Sequence, residues 1–268
     1  MTTVPDPPAH DLTYGRYLRL EELLSLQTPQ STPVEPDELL FIFIHQVYEL
    51  WFKEVLHELD QLVELLDTDQ PDLSGHQLKR VLKIFKTLVA QLDVLETMTP
   101  LEFDSFRSFL ASSSGFQSVQ FRELEFLLGL KSPLHLERLA GEPSGPRLVR
   151  RYRSPSLWDA FMGYLARLGY PVPVEILDRD VTLPTPSSPE VQDVLVTVYR
   201  EDRGPARLCE SLTDLDEGLQ EWRYRHVMMV QRTIGTKRGT GGSEGVEYLR
   251  STLFRPAFPD LWTVRSRF

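Results

Sequence analysis

The chain has 268 residues, of which 41% are hydrophobic and 25% are charged, the balance typical of a globular protein with a buried core. Its formal net charge of −10 argues against a protein that binds a nucleic-acid backbone, which needs a basic face. Cys209 is the only cysteine, which excludes a disulfide framework and a cysteine-rich metal site.

The N-terminal sequence MTTVPDPPAHDL is polar and proline-rich, without the basic start and apolar run of a signal peptide. The longest purely apolar run, at 39–44, is too short to span a bilayer. We therefore expect a cytoplasmic protein with no membrane partner, in which residues 1–11 form a disordered tail.

Helical periodicity dominates the first half of the chain. Apolar residues recur every three or four positions from Asp37 to about Asp67, which predicts a long amphipathic helix. A second helix is predicted from Ser74 to about Thr97. Thr99-Pro100-Leu101-Glu102 has the pattern of a capping box and predicts a third helix, which ends at 112–115. A fourth is predicted near 117–130.

The second half gives weaker signals. Ser154-Pro155 and Ser188-Pro189 predict helix starts, with short helices at 155–168 and 189–200 and a loop at 171–189 between them. A long helix is predicted from Asp214 to Ile234, and a last one over 246–253. Because alternation with period two is almost absent, the fold class predicted is mainly α, a helical bundle formed by one domain over 12–268.

Two of the six histidines lie on apolar helix faces. His45 shares its face with Phe41, Tyr48 and Phe52. His226 shares its face with Trp222, Met229 and Val230. A histidine in such a position is most often a core residue whose ring is satisfied by hydrogen bonds. The alternative is that the two imidazoles belong to a functional site.

The residues around His226 favour a site. Five cations lie near it in an otherwise acidic protein: Arg223, Arg225, Arg232, Lys237 and Arg238. An imidazole, apolar neighbours and several cations suit a haem, because they can provide the iron ligand, the pocket for the macrocycle and partners for the propionates. A solvated basic helix face explains the same residues equally well, so both interpretations stay open.

Other site types fit poorly. The glycine-rich segment 239–245 lacks the Gly-Lys-Ser/Thr ending of a phosphate-binding loop, and Glu244 stands where a dinucleotide fingerprint needs glycine. A di-iron carboxylate bundle needs repeated Glu-x-x-His pairs, and only Glu54 and His57 form one. Cys209 as a haem thiolate has no supporting residues, and a lone cysteine is more often a small buried residue.

Four segments, in order, resemble the tryptophan 2,3-dioxygenase family: YGRYLRLEELLSLQ (14–27), DELLFIFIHQVYELWFKEVLHELD (37–60), LETMTPLEFDSFRSFLASSSGFQSVQFR (95–122) and WRYRHVMMVQRTIGTKRGTGGSEGVEYLRSTL (222–253). The resemblance covers about 12–130 and 214–256, and is poor over 131–213. Pro36 stands where many members have histidine before Asp-Glu, at an expected helix entrance away from the pocket.

The resemblance implies a homotetramer built around haem pockets, with one haem b per subunit. It implies that L-tryptophan and O2 are the substrates. Cleavage of the indole C2–C3 bond with both oxygen atoms retained would give N-formyl-L-kynurenine, the first step of tryptophan degradation by the kynurenine pathway. No nucleic-acid or membrane partner is expected.

The resemblance also implies residue roles. His226 would be the axial ligand of the haem iron, and His45 the catalytic residue that accepts a hydrogen bond from the indole N–H. The other positions follow the same motifs. Trp222 and Tyr248 would lie on the haem side, Phe41 and Phe103 on either side of the indole, Arg107 at the substrate carboxylate, Thr240 at the amino-acid end, Ser114 and Gly115 at the edge of the pocket, and Tyr14, Tyr17 and Leu18 would come from a neighbouring subunit.

Three alternatives remain at this point. A haem-dependent mono-oxygenase of an indole or related aromatic amino acid could use the same scaffold, although an intact Arg107 and Thr240 favour an amino-acid substrate of the dioxygenase. A haem sensor or a haem-storage protein would not need a polar histidine such as His45 in the pocket, nor residues that bind a substrate carboxylate. A helical interaction module without cofactor would be colourless when purified.

Overall fold

A computed structural model describes residues 12–139, 141–201, 203–240 and 245–268. All the regular structure in these ranges is helical. The helices are α1 (Tyr14–Leu18), α2 (Leu20–Leu23), α3 (Pro36–Asp67), α4 (Pro71–Leu95), α5 (Pro100–Arg107), α6 (Val119–Leu127), α7 (Pro133–Leu139), α8 (Gly145–Arg153), α9 (Leu157–Arg167), α10 (Val174–Leu177), α11 (Pro189–Glu201), α12 (Arg203–Ile234), α13 (Val246–Arg250) and α14 (Pro259–Thr263). The mainly α fold class is confirmed. The predicted tail at 1–11 lies outside the described residues.

Three long helices form the centre of the fold. α4 packs along both α3 and α12, and α3 also contacts α6 and α9. The apolar positions at helical spacing are the ones that become buried: Val55, Leu59 and Leu62 of α3 are fully inaccessible, as are Leu88 and Leu92 of α4. The periodic stripe in the sequence therefore sets which helix faces meet.

Local capping fixes several helix starts. The capping box at Thr99 and Glu102 is present, and α5 begins at the predicted residue. The predicted start at Ser154-Pro155 is wrong by two residues. Ser156 caps α9 instead, because its hydroxyl accepts from the Asp159 N–H while the Asp159 carboxylate accepts from the Ser156 N–H.

The middle of the chain is more helical than its sequence indicates. α7 and α8 were not predicted, and α10 adds one turn inside the expected loop. α8 is strongly basic, but Leu148 and Tyr152 reach a small second core with Phe126 and Leu139. The buried Lys131 ammonium donates to three carbonyls at the end of α8, those of Arg151, Tyr152 and Ser154, and so caps that helix.

α12 begins at Arg203, eleven residues before the predicted start at Asp214. Pro205 lies in its first turn, where proline is tolerated because the N–H there has no helical partner. Buried Leu208, Leu212 and Leu215 then continue the apolar stripe. None of the helices in the described ranges is long and apolar enough to span a membrane.

The C-terminal segment is attached to the bundle by buried carboxylates. Asp216, in the middle of α12, accepts from the Phe258 N–H and from the Trp262 indole N–H. Asp260, on α14, accepts from the Ser188 N–H and the Gln192 amide. Both carboxylates are fully inaccessible. Each carboxylate accepts hydrogen bonds from several donors, and these bonds hold residues 254–268 on the long helices.

Candidate functional site

A cavity of about 540 Å³ lies between the helices. Its walls come from α3, α4, α5, α6, α12 and α13, with the loop before α6 and the residues Gly239, Thr240, Gly245 and Thr252. The volume is that of a typical small-molecule or cofactor pocket. Most of the residues predicted for the site line it: Phe41, His45, Phe103, Arg107, Ser114, Gly115, Trp222, His226, Thr240 and Tyr248.

His45 is held in one tautomer by its own helix. Its Nδ1 lies 2.7 Å from the carbonyl oxygen of Phe41, one turn earlier. A carbonyl can only accept, so Nδ1 carries the proton and donates, which leaves Nε2 of the neutral ring as an acceptor. Burial lowers the pKa of His45 and outweighs the Phe41 carbonyl and Glu49, which raise it. His45 is therefore neutral at pH 7 and offers a lone pair to a ligand N–H.

Aromatic rings surround His45. The Phe41 ring lies 4.1 Å from the His45 ring, and 5.7 Å from that of Phe103. Phe106 supports both phenylalanines from beneath, at 5.5 and 5.4 Å, and is completely buried. The spacing of three on α5 places Phe103 and Phe106 on one face of that helix, and both rings contact Phe41 of α3. This part of the cavity suits a flat apolar ring system that carries one N–H donor.

The polar groups near these rings come from α5 and from the segment after α12. The Arg107 Nη2 donates to the Arg238 carbonyl at 2.6 Å, and the Thr240 hydroxyl donates to the Ser113 carbonyl. Arg107 keeps further N–H groups for a ligand, since a guanidinium has five. Gly245 has a φ of 65°, and a Cβ there would lie 2.9 Å from the Lys237 carbonyl. Only glycine fits this closing point of the segment.

His226 differs from His45 in its surroundings. Its ring is parallel to that of Trp222, one turn earlier on α12, with 5.1 Å between centroids and 4° between planes. Burial, followed by the neighbouring His45 and Arg122, lowers the pKa of His226 to about 4. No described residue forms a hydrogen bond with its imidazole. A neutral histidine with no partner, half-buried in the wall of an apolar cavity, has the donor chemistry that haem iron requires.

The residues present fit a haem in one further respect. The Trp222 indole N–H is buried in the cavity wall and has no hydrogen-bond partner among the described residues. A buried donor left unpaired costs free energy, about 1–3 kcal/mol, unless a ligand satisfies it. Phe52, Phe121 and Tyr48 pack around this indole at 6.1, 4.9 and 6.2 Å. This part of the cavity is aromatic, with one unsatisfied donor beside an unsatisfied imidazole.

Of the five cations near His226 in sequence, only Arg223 lines the cavity. Arg225 binds Asp93 at 2.6 Å, and Arg232 binds Glu96 at 3.1 Å. Lys237 binds Asp104 on α5 at 2.8 Å. These ion pairs arise because Arg225 and Arg232 lie on the face of α12 turned toward the end of α4. Most of these five cations therefore belong to a solvated basic surface and not to the cavity.

Tyr14, Tyr17 and Leu18 are the predicted site residues that this chain does not bring to the cavity. They are 75%, 70% and 40% exposed, and neither α1 nor α2 buries a side chain. The segment that follows is joined to α3 through the Gln27 and Gln46 side chains and the Leu26 carbonyl. The N-terminal helices thus expose apolar and aromatic side chains, and none of their residues lines the cavity.

Sequence reasoning missed a buried ionic group on α6. Glu125 accepts from Arg122 of the same helix and from Arg223 of α12, both at 2.6 Å. All three line the cavity. The signal was present in QFRELEF, where charged residues interrupt a strongly apolar helix, but the pairing with α12 spans about a hundred residues and has no sequence pattern.

The fold and the cavity together define a class of protein: a helical protein whose central cavity has two neutral histidines, an aromatic lining and two buried arginines. The model of the tryptophan 2,3-dioxygenase family matches residues 6–140 and 154–268. The chain belongs to the tryptophan 2,3-dioxygenase family.

Similar proteins extend over nearly the whole chain. A tryptophan 2,3-dioxygenase of Herpetosiphon aurantiacus is 58% identical over 255 residues, covering 95% of this chain and 98% of the relative. That of Anaeromyxobacter sp. (strain K) is 54% identical, covering 97% and 98%, and that of Caulobacter vibrioides is 45% identical, covering 97% and 99%. The expectation of a poor match over 131–213 is wrong, since the family model omits only 141–153.

Proposed function

We propose that this chain is a tryptophan 2,3-dioxygenase, an oxidoreductase that uses O2 to cleave the indole C2–C3 bond of L-tryptophan and forms N-formyl-L-kynurenine. This is the first step of tryptophan catabolism by the kynurenine pathway. The family match over most of the chain, with relatives of that name, is the main support. The observation that ties it to chemistry is one cavity lined by both His45 and an unpartnered His226.

His226 would hold a haem b, one per subunit, through its neutral imidazole, beside Trp222 and Tyr248. When bound, the haem iron supplies the activation of O2. The part played by the protein is to fix the substrate and exclude water. The apolar lining from Tyr48, Phe52 and Phe121 suits that exclusion.

The substrate would lie on the α3 and α5 side of the cavity. Phe41 and Phe103 would contact the indole, and the His45 Nε2 would accept its N–H, which fixes the ring in one orientation. The Arg107 fork would bind the carboxylate, and Thr240 the amino-acid end, with Ser114 and Gly115 at the edge of the pocket. His45 is the catalytic residue of the set, because it contacts the reacting ring.

The quaternary structure belongs to the proposal. Tyr14, Tyr17 and Leu18 are exposed in a single chain and are neighbours on one short helix, and contiguous apolar surface of this kind is typical of protein–protein contacts. A homotetramer in which this segment completes a neighbour's pocket would bury them. A cytoplasmic location agrees with the family and is proposed with it.

The test is the fate of the oxygen atoms. A dioxygenase places both atoms of labelled O2 in N-formylkynurenine and needs reductant only to make the ferrous enzyme. A hydroxylase places one atom in a hydroxylated or oxindole product and consumes reductant or peroxide continuously. A singly labelled product would therefore overturn the proposal, and a colourless purified protein would do so at an earlier step.

A further inference from the structure

The loop between α5 and α6 borders the cavity but has almost no apolar side chains of its own. Its sequence over 112–118 is SSSGFQS, in which Phe116 is the only hydrophobic residue. Residues 113–118 all line the cavity. Fixing a loop costs conformational entropy, which a polar sequence offsets poorly, so Phe116 is the one side chain here that can anchor the loop by packing.

Hydrogen bonds inside the loop set its shape but not its position. The Ser114 hydroxyl accepts from the Phe116 N–H at 3.3 Å, and the Gln117 amide oxygen accepts from the Ser114 N–H at 3.2 Å. The Ser118 hydroxyl accepts from the Phe121 N–H at 3.2 Å and caps α6. Because these bonds join close neighbours in sequence, they define the turn without holding it against the cavity wall.

The Phe116 ring meets side chains of three helices. Arg122 of α6 and Arg138 of α7 each place a guanidinium over the ring, 5.3 and 5.0 Å from its centroid. The rings of His135 on α7 and Tyr248 on α13 lie 5.0 and 5.4 Å away. Cations over an aromatic face and tilted or edge-on ring pairs are attractive contacts. These five residues are called here the Phe116 anchor.

The partners of the ring are also bonded to one another. Because the Arg122 guanidinium can only donate, the His135 Nε2 accepts from it at 3.2 Å and from the Tyr248 hydroxyl at 2.9 Å. α7 itself stays outside the cavity, since none of residues 133–139, all of which the structure describes, lines it. α7 therefore acts on the cavity through the Phe116 anchor.

The loop held by this anchor meets the proposed substrate end of the cavity. The Ser113 carbonyl accepts the Thr240 hydroxyl, and Thr240 is the residue proposed for the amino-acid end of the substrate. We infer that Phe116 is a positioning residue for the substrate: the Phe116 anchor fixes the loop, and the loop fixes Thr240 at the amino-acid group of L-tryptophan. This inference rests on the proposed function.

The test measures how well the protein distinguishes L-tryptophan from 3-methylindole, which has the same ring system but no amino-acid group. Dissociation constants of both ligands are measured by optical titration of the haem-loaded, full-length protein. The variants are Phe116→Leu, Phe116→Tyr and the control Phe109→Leu. Phe109 is a matched control because it precedes the same loop, is 40% exposed and does not line the cavity.

Phe116→Leu should bind L-tryptophan about tenfold more weakly, the effect of one lost hydrogen bond to a charged group, with little change for 3-methylindole. Amide hydrogen exchange over 112–118 should become faster in the same variant, because the loop opens more easily. Phe116→Tyr keeps the ring and should keep the wild-type ratio of the two dissociation constants. Phe109→Leu should also keep it.

If Phe116→Leu does not fold, Arg138→Met takes its place, because Arg138 is exposed and lies outside the cavity. Loss of one cation from the ring should weaken L-tryptophan binding by about two- to fivefold, again with little change for 3-methylindole.

A wild-type ratio of the two dissociation constants in the folded Phe116→Leu variant, with only a lower Tm, overturns the inference. Equal weakening of both ligands does so as well, as does a loss in Phe116→Tyr equal to that in Phe116→Leu. Each of these results leaves the proposed function intact if wild type cleaves tryptophan. Failure of the proposed function is a different observation, in which wild type binds no haem or forms no N-formylkynurenine.

Discussion

Replacement of Arg107 by leucine tests the substrate end of the cavity. Arg107 lies at the C-terminal end of α5, one turn after Phe103, and uses only its Nη2 in a described hydrogen bond, to the Arg238 carbonyl. Its remaining N–H groups can form a two-oxygen contact with a carboxylate. Leucine keeps the apolar stem and removes the charge and all the donors.

The expected loss follows from the number of contacts. A hydrogen bond to a charged group contributes about 1.5–3 kcal/mol, which corresponds to a fall of about 10- to 160-fold in kcat/KM for L-tryptophan. Tryptamine has the same ring but no carboxylate, so its weaker turnover should change little. Haem content should be unchanged, since Arg107 is on α5 and not on the helix of His226.

The assay is steady-state turnover of both substrates by wild type, Arg107→Leu and the control Lys237→Met. Lys237 is a suitable control because it forms an exposed ion pair with Asp104, on the same helix as Arg107. Such surface pairs contribute about 0–1 kcal/mol, so this variant should resemble wild type. If Arg107→Leu lowers tryptophan and tryptamine turnover equally, the carboxylate is bound elsewhere and the reasoning fails.

Four further predictions concern the histidines and the N-terminus. His226→Ala should purify with little haem unless imidazole is supplied, and full haem content with an unchanged optical spectrum would contradict the assignment. His45→Ala should be slower but still active. In wild type, kcat/KM should fall on acidification only below the ordinary histidine pKa of about 6.5, because burial lowers the pKa of His45 and protonation removes its Nε2 acceptor; an acid limb at higher pH would exclude this role. Deletion of residues 1–20 should weaken both tetramer formation and tryptophan affinity relative to deletion of 1–11, and a fully active monomer would rule out a shared pocket.

The long helices could be predicted because one physical rule determines them. α3, α4 and the second half of α12 each carry an apolar stripe at helical spacing, and that stripe is what becomes buried. The start of α5 could also be predicted, since a capping box is formed by residues three positions apart. In these elements the partners lie within one or two turns, so local sequence is sufficient.

The missed elements depend on distant partners. α8 has four arginines among its nine residues. Its helix is completed by Lys131, about twenty residues earlier, and by a small core that includes Phe126. The ion pair between Glu125 and Arg223 connects positions 98 residues apart. No periodicity or motif encodes such a pair. The candidate histidines were visible as polar residues on apolar faces and Arg223 as a cation near His226, but the buried Arg122 and Glu125 were not.

The two cavity histidines differ in a way that the sequence does not reveal. Each follows an aromatic residue by one helical turn, Phe41 before His45 and Trp222 before His226, so the local patterns are alike. The difference lies in how each ring meets that preceding residue. His45 donates its Nδ1 proton to the Phe41 carbonyl and keeps a single free acceptor. His226 stacks flat on the Trp222 ring and forms no hydrogen bond with any described residue.

These two arrangements suit different tasks. When a neutral histidine donates its Nδ1 proton to a carbonyl, its one remaining lone pair is on Nε2. That lone pair accepts a hydrogen bond from a substrate N–H and so orients the substrate. A ring without hydrogen bonds keeps its ligating nitrogen free for a metal, and a pKa of about 4 keeps that nitrogen unprotonated. The neighbours of each ring, with Phe41 and Phe103 beside His45 and Trp222 stacked on His226, support His226 as the proposed iron ligand and His45 as the proposed substrate contact.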